Sequence, residues 1–277
     1  MKSYRLNRLF NPASGKCLDI AVDHGFFREG TFLKGIENIE TAVETLIHAD
    51  PDAIQLTVGQ AKHLQEVPGK DKPALVLRTD TANVYNANLP PNLYCHLLEE
   101  AVLQAVRLDA VCVVVNLFLV PDHPEITEYC LKNILKLKKD CDHYGMPMMV
   151  EPIAFSPDPA KGHYSVDGDA DKIIPLVRQA VELGADLIKA DPTENAEEYH
   201  KVIEIAGRVP VLARGGSKGD DRVVLQKTRT LLDQGAKGLV YGRNIIHHEN
   251  PAGMTQALMA MIHNDASVEE AYSLLLP

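Results

Sequence analysis

The chain has 277 residues, 45% of them hydrophobic, and a net charge of −10 at pH 7 that argues against nucleic acid as a general partner, because phosphate backbones require basic surface. No apolar run approaches the roughly 20 residues that span a bilayer, and the opening segment lacks the apolar stretch of a secretory signal. Five cysteines without a C-x-x-C pair favour reduced thiols in a cytoplasmic protein.

Short apolar runs alternate with longer amphipathic segments, and eight of these runs are predicted to be strands. They are CLDIAVD, DAIQLT, ALVLRTD, AVCVVVN, MPMMVEP, DLIKAD, PVLARGG and GLVYGR. Each is followed by a segment of helical character, such as ENAEEYHKVIEIAG after the sixth. Strands that alternate with helices pair in parallel, so we predict an α/β fold in which residues 1–277 form a single (β/α)8 barrel domain. An open doubly wound sheet is the alternative, but the turn after the first strand, VDHGFF, is not glycine-rich.

The segment EPIAFSPDPAKGHYSVDGD after the fifth strand is long and rich in proline and glycine. Its composition predicts a loop over the active-site face, which makes it a candidate lid or substrate loop.

Polar residues recur where the predicted strands end, which is where barrel enzymes carry their catalytic groups. They are Asp23, His24, Arg78, Asp80, Asn116, Glu151, Lys189, Asp191, Arg214 and Arg243. So many polar residues at one rim indicate a constructed site, in which the two arginines Arg78 and Arg214 are predicted to bind substrate.

Lys189 is the most informative of these residues because it interrupts the apolar run DLIKAD. In a barrel mouth, partial desolvation and nearby cations such as Arg214 would lower its pKa. A neutral amine attacks a ketone or aldehyde to form an iminium, which then acts as the electron sink for breaking or making a carbon–carbon bond. The alternative is a plain salt bridge between Lys189 and Asp186 or Asp191.

Asp23, His24 and Glu151 have side chains suited to the proton transfers of that chemistry. Metal catalysis is disfavoured, because no H-x-H or H-x-x-x-H pair is joined to a rim carboxylate and NIIHHEN follows the final strand. Acyl transfer through a cysteine lacks a thiol at any predicted strand end. We therefore predict that no metal and no other cofactor is used.

Two glycine-containing loops, ARGGSKGDD and YGRNI, follow the seventh and eighth strands. In barrel enzymes these two loops often bind phosphate. Gly215, Gly216 and Gly242 would let the backbone approach an anion, Ser217 can donate a hydroxyl hydrogen bond, and Arg243 can offer a charged fork. The alternative is two ordinary turns.

Four motifs in order, VDHG, GADLIKAD, VLARGGSK and GLVYGRNI, resemble the archaeal-type class I fructose-bisphosphate aldolases, in the superfamily of deoxyribose-phosphate aldolase. The aminodideoxyheptulosonate synthases and the thiolase acting on phosphorylated autoinducer-2 share the pattern. The resemblance runs from about Leu18 to Met254 and implies a TIM barrel. It implies that Lys189 is the Schiff-base lysine, with Asp23 and His24 as catalytic partners. It also implies that the stretches 215–218, with Lys218, and 242–243 hold the phosphate, and that the protein is a metal-free homo-oligomer, with decamers common.

One departure lies after the fifth strand, where those aldolases resemble V-W-x-Y-P and use the tyrosine as proton donor. This chain has VEPIAFSP, with Ile153 near the tyrosine position and Glu151 at the tryptophan position. A glutamate there resembles class I aldolases acting on tagatose bisphosphate or sulfofructose phosphate. The proton donor would then be Glu151, Tyr164 or His163.

We therefore predict a cytoplasmic class I aldolase that cleaves or forms a carbon–carbon bond in a phosphorylated ketose. A Schiff-base acyl transferase acting on a phosphorylated dione is the first alternative. A sugar-phosphate-binding barrel without catalysis is the second. In each case the expected partner is a phosphorylated sugar or a similar compound, with no nucleic acid and no membrane.

Overall fold

Eight parallel strands form a closed barrel whose strands pair in chain order, with the first strand pairing with the last. The structure is a computed structural model and describes residues 1–69, 71–86, 89, 92–159 and 163–276. The barrel strands are β1 Cys17–Ala21, β2 Ala53–Leu56, β3 Ala74–Arg78, β4 Cys112–Leu119, β5 Met148–Asp158, β6 Leu187–Ala190, β7 Val211–Arg214 and β8 Gly238–Tyr241. The predicted (β/α)8 barrel is confirmed.

The strands read as apolar runs because both of their faces are buried. In β1, Cys17 and Ala21 belong to the apolar cluster inside the barrel, whereas Leu18 and Ile20 belong to the larger cluster between barrel and helices. Side chains alternate along a strand, so Asp19 also points into the barrel. A polar residue at an inward position is therefore held in the interior by the strand itself.

Helix α1 (Lys2–Leu9) covers the barrel end opposite the predicted site. Leu9 is fully buried, and Leu6 and Phe10 pack against the apolar cluster inside the barrel. The Lys2 ammonium lies 2.8 Å from a carboxylate oxygen of Asp186, at the start of the segment that leads into β6. The amino-terminal helix thus fixes the lower end of the barrel.

The other helices pack around the outside of the barrel. They are α2 Ile39–Ala49, α3 Lys62–Gln65, α4 Ala101–Arg107, α5 Pro124–Tyr144, α6 Ala170–Glu182, α7 His200–Ala206, α8 Asp221–Asp233, α9 Arg243–Ile246, α10 Pro251–His263 and α11 Val268–Ser273. Side-chain caps mark their starts: Asn38 accepts a hydrogen bond from a backbone amide of α2, and Asp220 accepts two from α8. Within the described ranges, no helix has the length and apolarity required to cross a membrane.

The segment after the fifth strand differs from the predicted loop. β5 continues to Asp158 and pairs antiparallel with a strand at His163–Val166, so the segment forms a β-hairpin. Residues 160–162, at the centre of the predicted lid, lie outside the described residues. The prolines concealed this strand, because a proline such as Pro157 is tolerated where its nitrogen faces away from the ladder.

Candidate active site

Most of the residues predicted at the strand ends, but not Asp80 or Asn116, line one or both of two adjoining cavities. The two cavities share Phe32, Tyr85, Arg214, Gly216 and Arg243. The inner cavity has a volume of about 40 Å³ and contains the end of Lys189. The outer cavity measures about 710 Å³ and extends over the end of the barrel. The inner cavity has room for a reacting carbonyl group, and the outer cavity has room for the rest of a small substrate.

Eleven of the twelve predicted site residues line at least one of these cavities. The inner cavity includes Asp23, His24, Arg78, Glu151, Lys189, Arg214, Gly215, Gly216, Gly242 and Arg243. The outer cavity adds Ser217. Lys218 lines neither cavity, and its ammonium donates to the carbonyl oxygen of His247 at 2.9 Å.

Lys189 points from β6 into the barrel mouth and is only 4% exposed. Its nitrogen lies 3.1 Å from Glu151 Oε1 and 3.5 Å from Gln55 Oε1. Burial lowers the pKa of Lys189, and Arg78 acts in the same direction against the nearby carboxylates. A lysine with a lowered pKa inside a cavity is suited to act as a nucleophile.

The plain salt bridges that were the alternative for Lys189 are made by other cations. Asp186 pairs with Lys2 at 2.8 Å, at the opposite end of the barrel. Asp191 pairs with Arg214, with 2.7 Å between Nη1 and Oδ1. Neither carboxylate forms an ion pair with Lys189, so its single carboxylate partner in the described part of the chain is Glu151.

Glu151 is the centre of the charged network and is 2% exposed. Its Oε1 forms an ion pair with Lys189 and accepts a hydrogen bond from Arg214 Nε at 2.8 Å, and its Oε2 accepts from Arg78 Nη2. Burial alone would raise the pKa of Glu151, but the three surrounding cations outweigh it and hold the pKa far below its usual value. Glu151 is therefore a carboxylate at neutral pH and has no proton to donate.

Asp23 lies at the end of β1 and is also held as a carboxylate. Its Oδ2 accepts from Arg78 Nε and from Gln55 Nε2, each at 2.7 Å. Burial raises the pKa of Asp23, but the attraction of Arg78 and Lys189 is stronger and the net pKa is lowered. Asp23 and Lys189 are therefore joined through the side chain of Gln55.

The ring of His24 packs edge-on against Phe32, with 5.7 Å between ring centroids. Desolvation lowers the pKa of His24 to about 4, so the imidazole is neutral near pH 7. Its Nδ1 is buried and has no hydrogen-bond partner among the described residues. Next to it, a Cβ added to Gly242 would lie 2.5 Å from the His24 ring, so β1 and β8 approach each other closely here.

Arg78 has a different environment from the one predicted for a substrate-binding group. It is 1% exposed and forms ion pairs with Asp23, Asp80 and Glu151. Its guanidinium is fully engaged with carboxylates that come from different strand ends. This arrangement suits a residue that positions the carboxylates.

Four residues that the sequence did not single out belong to the site. Gln55 links Asp23 to Lys189, and Tyr85 and Lys227 line the outer cavity. Asp19 lies inside the barrel with both carboxylate oxygens unpaired among the described residues, and burial raises its pKa to about 7. The inward alternation of the predicted strands could have identified Asp19 and Gln55, but no comparable signal marks Tyr85 or Lys227.

The described residues contain no group of three or more His, Cys, Asp or Glu side chains arranged to hold a metal ion. All five cysteines are unpaired and buried. Neither the inner nor the outer cavity is lined by a cysteine, so a thiol nucleophile has no position at this site.

Comparison with known proteins places these observations in a family. A model described as DeoC/LacD family aldolase matches residues 17–248. An uncharacterized aldolase of Saccharolobus solfataricus is 33% identical over 283 residues, which cover 98% of this chain and 97% of that protein. A 3-hydroxy-5-phosphonooxypentane-2,4-dione thiolase of Escherichia coli is 30% identical over 274 residues, which cover 98% of this chain and 86% of the thiolase.

Solved structures show the same barrel. An archaeal fructose 1,6-bisphosphate aldolase superposes with a TM-score of 0.73 at 22% identity, covering 95% of this chain and 100% of that one. An archaeal fructose-1,6-bisphosphate aldolase with its catalytic lysine bound to the carbinolamine intermediate superposes with a TM-score of 0.74 at 21% identity, over 95% of this chain and 100% of that one. At this level of identity the likeness shows the fold.

Proposed function

The chain belongs to the DeoC/LacD family of aldolases, and we propose that it is a class I enzyme in which Lys189 forms an iminium with a phosphorylated ketose. The observation that carries this proposal is the environment of Lys189, which is 4% exposed, has a lowered pKa and lines the inner cavity. The neutral amine adds to the carbonyl carbon, and loss of water gives the iminium. The iminium then accepts electrons from the bond between its α and β carbons as that bond breaks.

The charged groups around Lys189 have distinct roles in this proposal. Glu151 holds the lysine nitrogen at 3.1 Å and directs it towards the cavity. Asp23 offers a carboxylate to the hydroxyl groups of the bound substrate, and Arg78 fixes both carboxylates in place through its ion pairs. The fixed network keeps the reacting groups aligned without reorganisation during the reaction.

The phosphate is proposed to bind where Gly216, Ser217 and Arg243 line the outer cavity. A Cβ built on Gly216 meets no atom within 4 Å, so packing against the protein does not account for a glycine at this position. Close approach of an anion does account for it. We expect Gly216→Ala to keep the fold and to raise KM for the phosphorylated substrate by about tenfold. An unchanged KM would remove this loop from the phosphate site.

The outer cavity supports a hydroxylated substrate. Besides the arginines, it is lined by the side chains of Thr31, Ser165 and Thr193, which donate and accept hydrogen bonds. Its volume of about 710 Å³ accommodates a phosphorylated ketose of sugar size. Because the Schiff base is itself the electron sink, we expect turnover to survive metal chelation.

Turnover of a panel of phosphorylated ketoses, beginning with fructose 1,6-bisphosphate, tests the proposal. We expect Lys189→Met to abolish cleavage while the protein still binds the substrate. Lys132→Met is the matched control, since Lys132 is an exposed lysine that pairs with Glu128 on the surface of α5. Full activity of Lys189→Met would refute the role of this lysine, and retained binding without any turnover in the wild type would favour the non-catalytic barrel.

A second candidate function is Schiff-base acyl transfer, which the thiolase at 30% identity over 98% of this chain favours. In that reaction the same iminium activates a phosphorylated dione, and coenzyme A accepts the acyl group. Incubation with 3-hydroxy-5-phosphonooxypentane-2,4-dione separates the two candidates. Consumption that depends on coenzyme A would identify the transferase, and ketose cleavage without coenzyme A would identify the aldolase.

Assembly and location form the last part of the proposal. We propose that the chain forms homo-oligomers, decamers among them, and that it works in the cytoplasm. Five unpaired buried cysteines support a reducing compartment. Native mass spectrometry at micromolar concentration tests the assembly, and a monomer would contradict it.

A further inference from the structure

Tyr85 lies in the segment that joins the short antiparallel strands Asp80–Ala82 and Cys95–Leu97, above the end of β3. It lines both the inner and the outer cavity. Its hydroxyl lies 3.5 Å from Arg214 Nη2, and Arg214 Nε in turn lies 2.8 Å from the Glu151 oxygen that holds Lys189. The phenol therefore sits where the inner cavity meets the outer one.

Four aromatic rings fix the ring of Tyr85. It is edge-on to Phe27 at 5.0 Å, to Phe155 at 5.6 Å and to Phe118 at 5.9 Å, and it is tilted against Phe32 at 5.7 Å. Such pairs prefer these edge-on geometries, so the ring is held in one orientation. The hydroxyl is its only polar part, and it accepts a hydrogen bond from Arg214 Nη2.

An iminium mechanism requires a proton donor at the inner cavity, and the other titratable groups there do not supply one. Asp23 and Glu151 are ionised and accept hydrogen bonds from cations. His24 is neutral, since desolvation lowers its pKa to about 4. The arginines do not give up protons at ordinary pH.

The donors that the sequence suggested beyond the barrel strands are also placed unsuitably. His163 and Tyr164 line only the outer cavity. The Tyr164 hydroxyl donates to the carbonyl oxygen of Pro121 at 2.9 Å, which occupies its proton. Among the described groups that line the inner cavity, this leaves the phenol of Tyr85 as the acid.

We propose that the Tyr85 hydroxyl is the proton shuttle between carbinolamine dehydration and carbon–carbon cleavage, an inference that rests on the Schiff-base function proposed above. Tyr85 donates its proton to the carbinolamine hydroxyl, which leaves as water while the nitrogen lone pair forms the iminium. The resulting phenolate takes the proton from the substrate hydroxyl on the β carbon, which is the carbon of the breaking bond that lies farther from the iminium. That bond then breaks, its electrons form the enamine, an aldehyde leaves, and Tyr85 is a phenol again.

The surroundings of Tyr85 suit both halves of this cycle. Burial raises the pKa of Tyr85, so the resting side chain carries the proton that dehydration needs. The positive charge of Arg214 acts in the opposite direction and stabilises the transient phenolate. A phenolate formed in a buried site is a strong base, which is what removal of a sugar hydroxyl proton requires.

Tyr85→Phe tests the shuttle, because it keeps the ring in its aromatic cluster and removes only the hydroxyl. We expect kcat to fall by about 10²–10⁴-fold with KM within about threefold of the wild type. With dihydroxyacetone phosphate as the probe, we expect borohydride to reduce the adduct correspondingly more slowly in a single turnover. Tyr144→Phe, at the opposite end of the barrel, is the control and is expected to retain wild-type turnover.

Added general acids separate a chemical role from a structural one. Turnover of Tyr85→Phe is expected to rise with imidazolium concentration at constant pH, whereas the wild type is expected not to respond. The shuttle would be overturned if Tyr85→Phe turned over like the wild type, or if its turnover did not respond to added acid. It would also be overturned if turnover were lost in Tyr164→Phe and kept in Tyr85→Phe. If borohydride traps no adduct even in the wild type, the Schiff-base function is refuted. If the wild type is trapped but Tyr85→Phe behaves like the wild type, only the shuttle is refuted.

Discussion

Replacing Glu151 by glutamine should uncouple the charged network and destabilise the barrel. The carboxylate is 2% exposed and faces Lys189, Arg78 and Arg214. Glutamine has the same shape, but it removes the charge and turns one acceptor into a donor that faces a cation. Removing one partner of a buried ion pair costs about 3–5 kcal/mol, because the remaining charges lose their compensation.

The same substitution should change the acidity of the lysine. Glu151 raises the pKa of Lys189, so its removal lets burial and the two guanidinium groups lower that pKa further. The acid limb of kcat/KM, which reports protonation of the amine in the free enzyme, should therefore move to lower pH. Each pH unit of movement corresponds to about 1.4 kcal/mol of lost interaction with the ammonium form.

Urea unfolding monitored by circular dichroism measures the change in stability, and the pH dependence of kcat/KM measures the change in the pKa of Lys189. Glu182→Gln is the control, because Glu182 forms an exposed ion pair with Arg178 on α6, and its loss should cost less than about 0.5 kcal/mol. The reasoning is refuted if Glu151→Gln and Glu182→Gln destabilise the protein equally, or if the acid limb stays where it is.

Three further predictions follow from the packing and charge of the site. Gly242→Ala would place a Cβ 2.7 Å from the carbonyl oxygen of Ala21. We therefore expect the free energy of unfolding, measured with urea, to fall by about 1–3 kcal/mol. An unchanged free energy of unfolding would show that the ends of β1 and β8 can move apart without cost. Burial raises the pKa of Asp19 from its ordinary value of 3.8 to about 7, so between these pH values the folded protein holds a proton that the unfolded chain has lost, and stability falls as pH rises. Asp19→Asn should therefore stabilise the protein at pH 8 by up to about 4 kcal/mol and much less at pH 4, and an equal effect at both pH values would contradict this. Lys218→Ala should leave KM within about threefold of the wild-type value, since the ammonium binds the His247 carbonyl. A large rise in KM would show that Lys218 does contact the phosphate.

The strands of this barrel could be predicted because parallel strands are buried on both faces and read as continuous apolar runs. AVCVVV, whose last four residues begin β4, is such a run, and it is buried throughout. The hairpin formed by β5 and His163–Val166 could not be read in this way, since Pro157 and Pro159 are loop signals. Its pairing depends on two segments that meet in three dimensions.

The location of the site was predictable, but its internal contacts were not. Barrel topology places the ends of β1, β5 and β6 at one rim, and this is enough to bring Asp23, Glu151 and Lys189 together. The sequence holds no sign that Arg78 would join two of these carboxylates, or that Lys218 would turn towards a backbone carbonyl. Side-chain direction in a loop depends on packing that spacing does not encode.

Tyr85 is a second site residue whose position could not be predicted from the sequence. The sequence analysis looked for a tyrosine after the fifth strand and found Ile153 near that position. Ile153 is fully buried in the cluster between barrel and helices. The structure instead brings a tyrosine from the segment after β3, where no periodic pattern marks it.

Reductive trapping tests the central claim most directly. The protein would be incubated with dihydroxyacetone phosphate and borohydride, and the adduct located by intact mass and peptide mapping. The account predicts one covalent adduct per chain, on the peptide that contains Lys189, and none in Lys189→Met. An adduct spread over exposed lysines such as Lys132, or no adduct while the wild type still cleaves its substrate, would contradict it.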